Sequence, residues 1–236
     1  MSIELKEKAG VYFLFSRLFR EAPSAAFMKE IIEKKLLTLT YYFFEETLPQ
    51  AALLLENEGW LKKLEELAVE YTSLFVISGK YFIVPYGSFY CDTILIDSST
   101  ADSPYFQPEP ISQGIKGLIG GPSAAEVKKF YSKEGYAVEA SYQYLSDHVA
   151  CELEFIGKLY ADGKVNIAQT FFEGYLGRWA FSFLKKLSVQ DYSTFYQTAA
   201  VALERFLKTE FVNATHHQNI STNLERTFNE ISAQTP

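Results

Sequence analysis

This chain predicts an all-α fold on three observations. Apolar residues recur at three- and four-residue steps through most of its length. No convincing run alternates apolar with polar residues, as a half-buried strand does. Five of the eight prolines and a close series of glycines gather in one central stretch. With 236 residues, 48% of them hydrophobic, the chain can bury a sizeable core. It reads as one helical domain over 1–236, made of two packed halves, about 1–79 and about 123–236, joined by a long central loop over about 80–122.

Taken in order, helical stripes run through Leu5–Phe19 and Phe27–Leu37, then through Trp60–Ile77. In the third, Trp60, Leu64, Leu67, Tyr71 and Leu74 share one face, while Lys62, Lys63, Glu65, Glu66 and Glu70 occupy the rest. The stretch from Gly79 to Pro122 carries Pro85, Pro104, Pro108 and Pro110 together with Gly114, Gly117, Gly120 and Gly121, and reads as loop. A loop longer than about a dozen residues usually serves as a lid, binding loop or hinge. Val76–Ile83 and Ile94–Ile96 suit short extended pieces, too few for a sheet. Stripes resume at Val127–Tyr131, Val149–Tyr160, Phe171–Leu187 and Tyr192–Phe211, with a weaker one over Ile220–Ile231. No fixed repeat period suggests a solenoid.

A net charge of −7 and a pI near 5.1 disfavour nucleic acid or an anionic membrane surface as the main partner and favour a basic one. The first apolar run, Val11–Phe15, is too short for a signal sequence or a membrane span, so no stable membrane insertion is expected. Cys91 and Cys151 have no metal-type spacing, and a buried thiol in a reducing cytosol explains Cys151. Asn213-Ala214-Thr215 and Asn219-Ile220-Ser221 match glycosylation acceptors by chance. The 20 Phe and 16 Tyr serve mainly as core, yet they are numerous enough for an aromatic-lined groove.

The segment Tyr142–Phe155 concentrates chemistry-bearing residues. At Ser146-Asp147-His148, either Ser146 or Asp147 can cap the following helix. His148 and Glu152 stand four apart on one face, whereas adjacent Asp147 and His148 point in different directions, which argues against a self-contained dyad. A metal held by His148 and Glu152 needs a further ligand, and the other histidines, His216 and His217, lie in a polar stretch that reads as exposed loop. No nucleophile elbow is present, and Gly120-Gly121-Pro122-Ser123 lacks the spacing of a phosphate-binding loop. What remains is a set of rings, Tyr71, Phe75, Tyr86, Phe89 and Tyr90, followed by the acids Asp147, Glu152 and Glu154. Carboxylates hold guanidinium groups through forked hydrogen bonds, ring faces attract cations, and a groove receives an apolar helix, so the set suits a basic, hydrophobic peptide.

Several of these segments coincide with family patterns. Tyr71-Thr72-Ser73-Leu74-Phe75 is followed by Pro85-Tyr86-Gly87-Ser88-Phe89-Tyr90, then by Gly121–Tyr131, the block Tyr144–Phe155 around Asp147-His148, Phe172, Tyr175-Leu176 and Trp179, and finally Phe195-Tyr196 and Phe206-Leu207. In that order they resemble the TorD/DmsD (NarJ-like) chaperones of molybdoenzyme maturation, over about Leu5 to Phe211. The resemblance implies a cytoplasmic chaperone that binds the twin-arginine leader, the apo form, or both, of a molybdoenzyme precursor and delays export until the cofactor is inserted. It implies no catalysis, no cofactor of the chaperone's own, and a monomer or a domain-swapped dimer.

On that reading the peptide-binding residues are Tyr71, Phe75, Tyr86, Ser88, Tyr90, Asp147, His148 and Glu152. Asp147 and Glu152 contact the leader, Tyr71, Phe75, Tyr86 and Tyr90 form the apolar wall, and His148 holds the junction between halves. Tyr144-Leu145 replaces the family's usual Glu-Pro, Tyr175 stands where many members carry His, and the central loop is long. One alternative is an assembly chaperone for a redox-enzyme subunit that reads no leader. Another, less favoured, is a metal-dependent hydrolase using His148 and Glu152.

Overall fold

The computed structural model describes residues 3–33, 60–94, 115–138 and 146–210. The expected helix at 220–231, the polar stretch holding His216 and His217, the Tyr144-Leu145 replacement and the middle of the central loop lie outside the described residues.

Helix α1 (Ile3–Arg20) buries Val11, Tyr12, Phe15, Leu18 and Phe19 along one stripe, with Glu4 in its first turn and Arg17 and Arg20 in its last, the charge placement its dipole favours. Helix α2 (Ala25–Glu33) starts where the Ser24 hydroxyl accepts the Phe27 amide at 3.2 Å. Arg17 ties the two helices together, pairing with Glu30 at 2.6 Å and lying 4.1 Å over the Phe27 ring. Helix α3 (Trp60–Phe75) turns Leu67, Tyr71, Leu74 and Phe75 inward, and the Tyr71 hydroxyl donates to the Arg20 carbonyl at 2.7 Å, satisfying an orphan acceptor at the end of α1.

The described parts of the central stretch are not featureless. They contain a short helix, α4 (Gly87–Cys91), and a two-residue antiparallel ladder in which β1 (Thr93–Ile94) pairs with β2 (Ile115–Lys116). Helix α5 (Pro122–Lys133) follows, with proline in the first turn where its missing amide costs nothing. At its start the Asp92 carboxylate accepts from both the amide and the hydroxyl of Ser123.

Helix α6 (Val149–Ala161) is apolar on nearly every face and forms the centre of the molecule, with Leu153, Ile156 and Leu159 fully buried. It makes its most extensive contact with α1. Gly157 allows that approach, because a β-carbon there would lie 2.8 Å from the Phe13 ring and 3.2 Å from Tyr12 Cβ.

The stripe Phe171–Leu187, expected as one helix, is three pieces: α7 (Val165–Gly174), a 3₁₀ turn (Leu176–Arg178) and α8 (Ala180–Val189). Phe172, Leu176, Trp179, Phe183 and Leu187 keep helical spacing across the break, which hides it from periodicity. The last described helix, α9, occupies 194–210. Its Glu210 carboxylate is 6% exposed and takes Lys8 at 2.8 Å and the Tyr160 hydroxyl at 2.6 Å, joining α9 to α1 and α6. Among the described residues no helix is long and apolar enough to cross a membrane.

Candidate functional site

Two chain segments cross at the entrance to α6. Tyr86 and His148 form an antiparallel bridge, with the Val149 amide donating to the Pro85 carbonyl and the Gly87 amide to the Asp147 carbonyl, both at 2.9 Å. The Asp147 carboxylate adds a third link, accepting the Ser88 amide through Oδ2 at 2.7 Å. The sequence expectation placed Asp147 or Ser146 as the cap of α6, and the structure corrects it. His148 caps that helix, its Nδ1 accepting the Ala150 amide at 3.1 Å, while Asp147 serves the first turn of α4. Ser88 extends the clasp, since its hydroxyl accepts the Gly120 amide at 3.0 Å and so anchors the glycine-rich turn before α5.

The clasp is dry. Asp147 and Ser88 are 0% exposed, and His148 and Glu152 are 1% exposed. Burial, reinforced by the Arg20 charge, pushes His148 down to about 3, so the ring is neutral at physiological pH and free to act as a cap acceptor. Burial and the neighbouring Asp147 raise Glu152 well above the ordinary carboxylate range, so it is held as the neutral acid. Its described hydrogen-bond partner is the Trp179 indole, whose Nε1 lies 3.3 and 3.4 Å from the two carboxyl oxygens. Asp147 Oδ1 is buried and lacks a hydrogen-bond partner among the described residues, a costly arrangement for a carboxylate oxygen.

Rings separate this carboxyl pair from the surface. Tyr90 stacks on Trp179 with centroids 5.5 Å apart and planes 20° from parallel, and its hydroxyl donates to the Val84 carbonyl at 2.9 Å. Tyr86 stands edge-on to His148 at 4.9 Å. Both tyrosines and Phe89 are half-buried. Gly87 lets the indole approach, for a β-carbon there would sit 2.8 Å from Trp179 Nε1.

On the other side of α6 lies a cavity of about 80 Å³ lined by Arg20, Tyr131, Tyr136, Cys151, Glu154 and Lys158 among others. Tyr131 connects it to the corner by donating to the Ser146 carbonyl at 2.9 Å. Glu154 there is already engaged by Arg20 and by Lys158 at 2.7 Å, so among the described lining residues the one carboxylate is taken up by two cations.

A family model described as the nitrate reductase delta subunit matches residues 43–185, more than half of the chain. The chain belongs to the nitrate reductase delta subunit family. Within it the relatives are TorD-like: the chain is 25% identical over 149 residues to the chaperone protein TorD of Shewanella pealeana, covering 63% of this chain and 61% of that protein. It is 26% identical over 231 residues to the chaperone protein TorD of Vibrio parahaemolyticus, covering 86% of this chain and 92% of that one. Thus the chain spans about three fifths of the first of these relatives and nearly all of the second. A crystal structure from Archaeoglobus fulgidus, described as a redox enzyme maturation protein, superposes with a TM-score of 0.52 at 22% identity, over 88% of this chain and 96% of that one, which establishes the shared helical fold.

The family match takes in all eight residues expected to bind peptide, and the structure separates them into two groups. Tyr86, Ser88, Tyr90, Asp147, His148 and Glu152 converge on the clasp or its ring face. Tyr71 and Phe75 do not form an accessible wall. They are 6% and 7% exposed, packed edge-on at 5.3 Å with Tyr196 against both, on the inner face of α3. Sequence reasoning missed Trp179 as the donor to Glu152 and Arg20 as the charge acting on His148, because both lie far from the corner in sequence. Tyr175 is half-buried and stacked on Phe171 at 5.0 Å.

Proposed function

We propose that this chain is a cytoplasmic chaperone for a molybdoenzyme precursor, binding its twin-arginine leader and holding the apoprotein back from export until the cofactor is in place. The names of its TorD relatives support the class. The observation that carries leader recognition is the pair of buried carboxyl groups, Asp147 with an unpartnered oxygen and Glu152 kept neutral, set behind the half-exposed rings Tyr86 and Tyr90. A chain of net charge −7 adds long-range attraction for a basic leader. The cytoplasmic location follows from the task, since a leader is bound before export. No chemistry is assigned to the chain.

In the closed corner Asp147 and Glu152 are out of reach, so Tyr86 and Tyr90 meet the leader first and the clasp between 85–88 and 146–149 parts to admit an arginine. Opening costs a few backbone hydrogen bonds, each worth about 0.5–1.5 kcal/mol, and a bidentate guanidinium–carboxylate contact offsets that cost. His148 keeps α6 capped in either state, and Tyr71 and Phe75 support the site from the core. Titration with a leader peptide and with its paired-lysine variant is expected to show the arginine form binding more tightly, by about tenfold, since an ammonium lacks the planar fork. Equal affinities would remove arginine reading from the account.

A second reading is favoured by the outer side of α3, where Val69 is 60% exposed in a shallow groove lined also by Lys62, Glu65, Glu66, Glu70 and Tyr192, and by Val76 and Ile77, equally exposed just past the end of the helix. Such a face suits an assembly chaperone that holds a redox-enzyme subunit without reading a leader. Binding that survives deletion of the client's leader would favour it.

A further inference from the structure

The ring face outside the carboxyl corner already carries a cation. Lys186, exposed on α8, places its ammonium 4.7 Å from the centroid of Tyr90 and 5.3 Å from that of Phe89. Among the described residues no carboxylate pairs with it. Both rings are held: Tyr90 by its stack on Trp179 and its bond to Val84, Phe89 by Gly117, whose positive φ of 81° and missing side chain let that turn lie against the ring.

We propose that the Phe89–Tyr90 face is a cation seat, occupied by Lys186 in the free protein and taken over by an arginine of the bound leader, with Lys186 released to solvent. This rests on the leader reading and adds to it an intramolecular competitor. An ammonium is compact and strongly hydrated on a flexible stem, so it holds an exposed ring face weakly. A guanidinium is planar and less hydrated and stacks on the same face more firmly. Tyr90 lies on Trp179 and Trp179 donates to Glu152, so a cation on Tyr90 stands one ring away from the buried acid. One arginine on the seat and its neighbour directed toward Glu152 and Asp147 would account for a requirement for two.

Lys186 is a surface residue, and its replacement leaves the core intact. Fluorescence titration of the full chain with a labelled peptide bearing an arginine pair and an apolar stretch is expected to give about two- to fivefold tighter binding for Lys186→Ala, the loss of one exposed cation–π competitor. Lys185→Ala removes the same charge from the neighbouring exposed position and reports the general effect of charge, which is expected to be smaller. Equal gains for the two variants, or weaker binding by Lys186→Ala, would overturn the seat while leaving leader recognition in place. Absence of binding to the unaltered chain would remove both.

Discussion

Replacing Trp179 with alanine is expected to destabilise the protein by about 3–5 kcal/mol, the range for truncating a large buried aromatic. For a chain of this length that lowers the thermal midpoint by roughly 10 °C. Trp179 is 2% exposed, lies on Tyr90, packs against Phe183 at 5.9 Å and supplies the indole donor to Glu152. Alanine therefore opens a cavity beneath the ring face and strands a buried carboxyl group. Trp179→Phe keeps most of the apolar volume and removes the donor alone, so about 1–2 kcal/mol is expected. Thermal melts of both variants separate packing from hydrogen bonding. Equal losses would mean that the ring's packing adds nothing beyond the indole N–H, and no loss in Trp179→Phe would mean that the N–H contributes nothing.

Opposite pH slopes are expected from the two buried titratable groups of the clasp. His148, held down at about 3 against an ordinary value of 6.5, favours the folded state while neutral; that stability is present above pH 6.5 and is lost as the pH falls toward 3. Glu152, raised well above its ordinary 4.5, favours the folded state while protonated; its contribution is present below pH 4.5 and is lost as the pH rises toward its folded value. Between about pH 4.5 and 6.5 the two oppose each other. In Glu152→Gln, which keeps an acceptor for Trp179, stability should fall on acidification by up to about 1.4 kcal/mol per pH unit. In His148→Asn, which keeps a capping acceptor, it should rise on acidification. Denaturant titrations at pH 4.5, 5.5 and 6.5 measure both slopes. Slopes of the same sign in the two variants would contradict this assignment of protonation states.

Helices α1 and α3 were legible because each buries a single stripe, and α6, buried on nearly every face, because its apolar run is long; all three lie close to where the sequence places them. The break between α7 and α8 was not, since its core residues hold helical spacing across Tyr175–Trp179. Gly174 and Gly177 mark it, and a β-carbon at Gly177 would lie 2.8 Å from the Phe172 carbonyl. The same stripe on α3 that identified the helix also consigned Tyr71 to the core, so periodicity was the better guide to that ring than its place beside the loop. The Asp147–His148 pair was visible as a feature, but its partners were not. Its carboxylate closes onto Ser88, 59 positions away, and histidine is an uncommon cap, so neither role is written in local spacing. The pairing of Trp179 with Glu152 depends likewise on tertiary packing admitted by Gly87.

Amide hydrogen exchange across 85–91, 146–152 and 178–187, with and without a peptide carrying an arginine pair and an apolar stretch, bears most directly on leader capture at the clasp. Altered exchange is expected at Gly87, Ser88 and Val149, whose amides bridge the two segments, together with added protection around Tyr90 and Lys186. A peptide that binds while those amides exchange as before, with protection confined to the outer face of α3, would contradict it.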